Sequence, residues 1–203
     1  MFILDKMLIL AQNPIETLTF LGFFIFILLF IYISKIKFTT RLVAHIGITL
    51  ALTIILHFIR LYHMPQGGSV TLGGMLPIIL LSLYYTPAVG YLAGFIYGFI
   101  NFIQDPFILH PVQVIFDYPL PYMMLGIVGY FKKHVFLGTI IAVSARFICH
   151  FLSGIIFFGN YAPAGTSVYA YSFIFNISYL LPELILTLIL LYFLPLNRIF
   201  KYL

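Results

Sequence analysis

Residues Ala145 to Phe158 read A-R-F-I-C-H-F-L-S-G-I-I-F-F, an apolar stretch with an arginine and a histidine in its middle. Arg146, His150, Gly154 and Phe158 recur every fourth residue, so on a helix they form one stripe. A charge at the centre of a bilayer costs roughly 2.5–3.5 kcal/mol on insertion scales, so such groups face a polar cavity or a partner. The stretch therefore predicts a membrane-spanning helix with one wall on a cavity.

Composition agrees with that reading. Of 203 residues, 63% are hydrophobic and 7% charged, and the mean hydropathy is +1.14, far from the roughly 25% charge of a soluble domain. An all-α integral membrane bundle is expected, with no polar stretch long enough for a soluble domain. The net charge of +5 is read as orientation signal at span ends, and no nucleic-acid partner is expected. The single cysteine, Cys149, lies inside a span and has no partner for an internal disulfide.

Outward from the stripe, the chain divides into seven expected spans. Thr17–Ser34 follows an N-P turn and ends in K-I-K, which marks a retained span rather than a cleaved leader. Arg41–Tyr62 carries Gly47 and Ala51, a small-xxx-small pair that lets another helix approach closely. Arg60–Gly74 is glycine-rich and reads as a loop or re-entrant lid; Met75–Tyr85 is too short to span unless Ser69–Gly74 also lies within the membrane. Ala88–Phe102 has Gly90, Gly94 and Gly98 on one face, with Tyr97 beside that groove. A span from Pro111 contains F-D-Y-P-L-P, so Asp117 stands just ahead of two helix-breaking prolines. The stripe helix runs from about Val135 to Phe158, and the last span, Tyr169–Leu194, holds Asn176, Pro182 and Glu183. The division is residues 1–37 for an extra N-terminal helix and junction, and 38–203 for a six-helix substrate-binding domain.

Lys35, Lys37 and Arg41, then Lys132 and Lys133, then Arg198 and Lys201 all fall on one side of seven alternating spans, while Lys6 and Arg60 fall opposite. The positive-inside rule predicts an external N-terminus and a cytoplasmic C-terminus in a bacterial plasma membrane, with the loops at 60–74, 101–111 and 159–168 outside. Asp117, His150 and Asn176 then lie at one depth, roughly 10–12 Å below the outer mouth at about 1.5 Å per residue, with Arg146 one turn deeper. Three polar groups level on three helices, with aromatic residues above, predict a small-molecule pocket. Asp105 and His110 border its mouth; His45, His57, His63 and His134 read as interfacial.

Four motifs carry a family resemblance: M-P-Q-G-G-S-V-T-L-G (Met64–Gly73), H-P-V-Q-V-I-F-D-Y-P-L (His110–Leu120), R-F-I-C-H-F-L-S-G (Arg146–Gly154) and Y-S-F-I-F-N-I-S-Y (Tyr171–Tyr179). In that order they resemble the thiamine-specific S components (ThiT/YuaJ family) of energy-coupling-factor transporters. The resemblance covers about Arg41 to Leu194; the helix before Lys35 lies outside the usual six-span pattern. It implies a subunit that captures thiamine from outside and associates with a transmembrane coupling subunit and two cytoplasmic ATPases. The chain itself has no G-x-x-x-x-G-K-[ST] phosphate loop.

The resemblance also implies binding positions: Asp117 and Tyr118, then His150, Gly154 and Phe158, then Tyr171 and Asn176, with Arg146 as pocket floor or counter-ion to Glu183 and Tyr97 as a further wall. It further implies docking through Gly47 and Ala51. Thiamine joins a flat aminopyrimidine to a cationic thiazolium, which suits aromatic faces, a carboxylate and directional donors. Some relatives use tryptophan in this pocket, whereas this chain has none, and some have glutamate at the Asp117 position; a related pyrimidine or thiazole vitamin precursor stays open as ligand. No metal or cofactor is expected. An intramembrane enzyme is the rival class, but H-E-x-x-H and G-x-S-x-G are absent; a self-sufficient secondary transporter is disfavoured by the small size and the lack of an internal repeat.

Overall fold

Prolines and hydroxyls set where the helices begin. The structure, a computed structural model, describes residues 13–196; Lys6, Arg198 and Lys201, on which the predicted orientation partly rests, lie outside the described residues. Helix α1 (Pro14–Ile33) starts on a proline, as do α4 (Pro87–Gln104), α5 (Pro111–Asp117) and α6 (Pro119–Met124). The missing N–H costs nothing in a first turn. Helices α2 (Thr40–Phe58) and α8 (Val168–Phe193) are instead capped by Thr39 and Ser167, whose hydroxyls accept from Leu42 N at 3.2 Å and Ala170 N at 3.1 Å. The remaining helices are α3 (Leu76–Tyr84) and α7 (Val135–Phe157), with 3₁₀ turns at Leu125–Tyr130 and Gly159–Tyr161.

Each of the seven expected stretches contains helix. Among the described residues, five are long and apolar enough to cross a membrane: α1, α2, the composite Pro111–Tyr130, α7 and α8. Helix α4 falls outside that set, and α3 has only nine residues. What precedes α3 is a hairpin, β1 (Arg60–His63) antiparallel to β2 (Ser69–Thr71), pairing Tyr62 with Val70 and His63 with Ser69. Gly67 and Gly68 turn it at φ +87° and +89°, a conformation that side chains resist. Strand β2 is wholly buried, and Thr71 Oγ1 donates to Glu183 Oε1 on α8 at 2.7 Å, so the glycine-rich stretch enters the bundle rather than lying on it. The fold is an all-α membrane bundle carrying one short hairpin whose second strand is buried and whose first is largely exposed.

The groove of α4 fixes the broken helix. A Cβ at Gly98 would meet Pro119 Cα, at Gly94 the Tyr122 carbonyl, and at Gly90 the Cα of Gly126. Only glycines let the α6 backbone lie directly on α4, and α6 begins where α5 ends. The break itself sits at Tyr118 (φ −118°, ψ −82°), with Pro119 unable to donate back into α5.

Two ends are distinct. At one, the rings of Tyr32 and Tyr130 are 6.4 Å apart and Lys132 Nζ donates to the Tyr85 carbonyl at 2.9 Å, gathering the basic junctions. At the other, Arg60 pairs with Asp105 at 2.9 Å and Phe107 meets Tyr161 at 6.2 Å, gathering the hairpin and the loops after α4 and α7. Helix α1 packs against α4 and α5, with Phe26 edge-on to Phe95 at 5.5 Å and Tyr32 edge-on to Tyr91 at 6.0 Å.

Candidate functional site

Between the hairpin and α4, α5, α7 and α8 lies a cavity that encloses about 770 Å³ of empty space when its open mouth is counted. Asp117 reaches it because α5 stops there, leaving the carboxylate at the helix end beside the break. Gln113, one turn earlier, donates from Nε2 to Asp117 Oδ2 at 2.6 Å, and His150 Nδ1 lies 3.3 Å from Asp117 Oδ1. The carboxylate is thus held from two helices while its side chain keeps 16% exposure towards the cavity.

Asn176 completes the level. Its Nδ2 donates to the Ser172 carbonyl at 2.8 Å and to the His150 carbonyl at 3.3 Å, and its Oδ1 accepts from Tyr179 OH at 2.9 Å. Asp117, His150 and Asn176 therefore form one connected layer. His150 Nε2 is buried in that layer and meets no hydrogen-bond partner among the described residues.

Aromatic rings close the cavity above and below. At the mouth Phe158 stacks on Phe107, centroids 5.6 Å apart and planes 20° from parallel. Tyr118 OH donates to the Asp105 carbonyl at 2.8 Å and accepts from Phe107 N at 2.7 Å, pinning that loop. Tyr171 and Phe175 line the α8 side, their rings 5.8 Å apart. On the floor Arg146 lies over the Tyr122 ring, 4.2 Å from its centroid, a cation–π contact that accommodates its charge.

Of the residues named from sequence, Asp117, Tyr118, Arg146, His150, Gly154, Phe158, Tyr171 and Asn176 all border the cavity. Tyr97 does not: it is fully buried behind the wall, edge-on to Tyr122 at 4.6 Å and to His57 at 5.8 Å. Gly154 borders the cavity, but a Cβ there would first meet Ser172 on α8, so its bareness also serves the close approach of α7 and α8. Glu183 makes no ion pair with Arg146 within 4.0 Å among the described residues; Thr71 holds one of its oxygens, and Oε2 meets no partner.

Sequence reasoning missed Gln113, Tyr122 and Tyr179, and it read His57 as interfacial although it is buried on the cavity wall and hydrogen-bonds Asn101 at 3.0 Å. Gln113 stands four residues before Asp117, a helical spacing that offered a signal. His110 is a helix cap: Nδ1 accepts from Val112 N at 3.2 Å and the ring stacks on Phe157 at 5.2 Å.

Comparison with known proteins now decides the family. The sequence model described as thiamine transporter protein (Thia_YuaJ) matches residues 43–202. The chain belongs to that family. It is 34% identical to the thiamine transporter ThiT of Bacillus subtilis over 149 residues, 63% of this chain and 75% of that one. It is 32% identical over 136 residues to ThiT of Lacticaseibacillus paracasei, 57% of this chain and 68% of that one. The fold is that of a solved ThiT from Listeria monocytogenes, with TM-score 0.67, 24% identity, and coverage of 74% of this chain and 91% of that one. A thiamine transporter family of this kind is a transport family, not an enzymatic one, and the chain is a multi-pass membrane protein. Helix α1 precedes the matched residues.

Proposed function

We propose that this chain is the S component of an energy-coupling-factor transporter, capturing thiamine at the extracellular face for ATP-driven uptake. The observation that carries the reading is the Asp117 carboxylate, oriented by Gln113 and His150 inside an aromatic-walled cavity. Thiamine supplies what such a site lacks: a positive thiazolium to balance the carboxylate and an aminopyrimidine whose N–H groups it can bind. The Phe107–Phe158 pair and Tyr122 give flat faces, so a ring can stack without tryptophan. Asn176 and His150 supply directional polar contacts, Gly154 and Tyr171 shape the side walls, and Tyr97 supports Tyr122 from behind.

Docking to a transmembrane coupling subunit, with two cytoplasmic ATPases, falls to Gly47 and Ala51. Both lie on an exposed face of α2, and a Cβ built on Gly47 meets nothing within 4 Å, which leaves room for a partner helix. Helix α1 sits elsewhere, on α4 and α5, and leaves that face open. Residues 38–203 form the six-helix binding domain and 1–37 the added helix and junction; the mouth and N-terminus face outward and the C-terminus the cytoplasm.

Calorimetric titration of the purified chain with thiamine tests the ligand, since no tryptophan is available for quenching. Saturable heat at one site per chain is expected. No heat with thiamine, but saturation by a pyrimidine or thiazole precursor, replaces the substrate and keeps the class. Co-purification of a coupling subunit and ATPases with the tagged chain is expected, and loss of that association in Gly47→Leu tests the docking face.

A further inference from the structure

We propose that α1 is a positioning element for the binding site, Leu18 and Gly22 holding Phe116 and through it the Asp117–His150 hydrogen bond. Leu18, Phe116, Leu120 and Cys149 form one buried hydrophobic cluster, with Phe116 1% and Cys149 7% exposed. Each of two cluster members is the chain neighbour of a site residue: Phe116 precedes Asp117, and Cys149 precedes His150. Successive helical side chains point about 100° apart, so the residue turned to α1 fixes the azimuth of the residue turned to the cavity.

The contact with α1 is close. A Cβ on Gly22 would lie 2.6 Å from Phe116 Cε2 and 3.1 Å from Cζ, so a side chain there must shift that ring or α1 itself. Helix α5 has seven residues and ends at a proline break, so it has no continuing ladder to resist being turned. A displaced Phe116 rotates Asp117 away from His150 Nδ1, which it now meets at 3.3 Å. Helix α1 lies ahead of residues 43–202, so this brace comes from outside the part of the chain that the family model matches. The effect on ligand rests on the thiamine reading; the effect on the Asp117–His150 geometry does not.

The test uses the full chain in lipid nanodiscs with two readouts, the thiamine Kd and, without ligand, the ¹⁵N and ¹H shifts of the His150 imidazole assigned with His150→Gln. Gly22→Leu is expected to raise Kd about tenfold and to shift the His150 signals. Gly22→Leu combined with Phe116→Ala, in which the new leucine fills the volume that the ring vacates between α1 and α5, is expected to restore both towards wild type. Phe24→Leu, at a position 60% exposed on the outer face of α1, is expected to change neither. Should Gly22→Leu not fold, Gly22→Ala carries the same contact in smaller form and is read in the same way. Unchanged His150 signals in the Gly22 variant, or failure of Phe116→Ala to restore them, overturns the proposal. If the wild-type chain gives no heat with thiamine, the substrate reading fails, and the His150 signals alone decide the brace.

Discussion

The rim of the cavity and the bundle interior at and behind its floor each hold an arginine and a carboxylate, and they hold them differently. At the rim Arg60 and Asp105 form a direct ion pair at 2.9 Å, their side chains 26% and 38% exposed, with His63 3.8 Å from the same oxygen. On the floor Arg146 and Glu183 are buried, and each is held separately, Arg146 on the Tyr122 ring and Glu183 by Thr71. Water shares the work at the rim, so that pair serves mainly to fasten the hairpin to the loop after α4. On the floor the Arg146 guanidinium is 5% exposed, and among the described residues its Nε and Nη1 meet no acceptor. The difference separates an exposed ion pair from two buried groups held apart, and substitutions at the two places should differ accordingly.

The largest effect is expected from Arg146→Met. It takes the buried guanidinium off the Tyr122 ring and removes its field from Glu183, which should cost about 2 kcal/mol or more of stability, read as a lower unfolding midpoint by circular dichroism in detergent. An unchanged midpoint would show that Thr71 alone accommodates the carboxylate. Next come Asp117→Asn and Asn176→Ala, each expected to weaken thiamine binding by roughly 1–3 kcal/mol through one lost polar contact, with little change in the unfolding midpoint. Wild-type affinity in both would refute the layer as the ligand contact. Phe158→Ala should weaken binding less, by about 0.5–1.5 kcal/mol, through loss of its stack on Phe107.

Legibility followed the same division. The floor and the layer above it were readable because a charge or amide inside an apolar helix is anomalous by itself: Arg146, His150, Asn176 and Asp117 each pointed to a cavity by residue type and position alone. Helical spacing then aligned the stripe, and the three glycines of α4 marked the groove that seats α6. Tyr97 was harder, since an aromatic beside a groove is compatible with either the cavity wall or the layer behind it, and only packing against Tyr122 decides. His57 was misread because its position near the end of α2 suggested an interface, while the hairpin that buries it depends on long-range pairing with α8 through Thr71 and Glu183. The hairpin's strands were invisible for the same reason: three and four residues carry too little pattern to be recognised locally.

The smallest effect is expected at the rim, and its form matters more than its size. Asp105→Asn keeps the shape of the side chain and removes the charge that holds Arg60, so stability should fall by only about 0.2–1 kcal/mol. The hairpin nevertheless contributes Gln66, Gly67, Gly68 and Ser69 to the cavity lining, and Arg60 is one of its anchors to the α4–α5 loop. Releasing that anchor should therefore raise the rate of thiamine release about two- to fivefold while altering the association rate less, because an open mouth does not hinder entry. Added salt should mimic the substitution in the wild-type chain and have little further effect in Asp105→Asn, since screening acts on an exposed pair and not on the buried floor. Stopped-flow measurement of release at low and high ionic strength distinguishes the two; equal salt sensitivity in both proteins would mean that the Arg60–Asp105 pair is not the fastening.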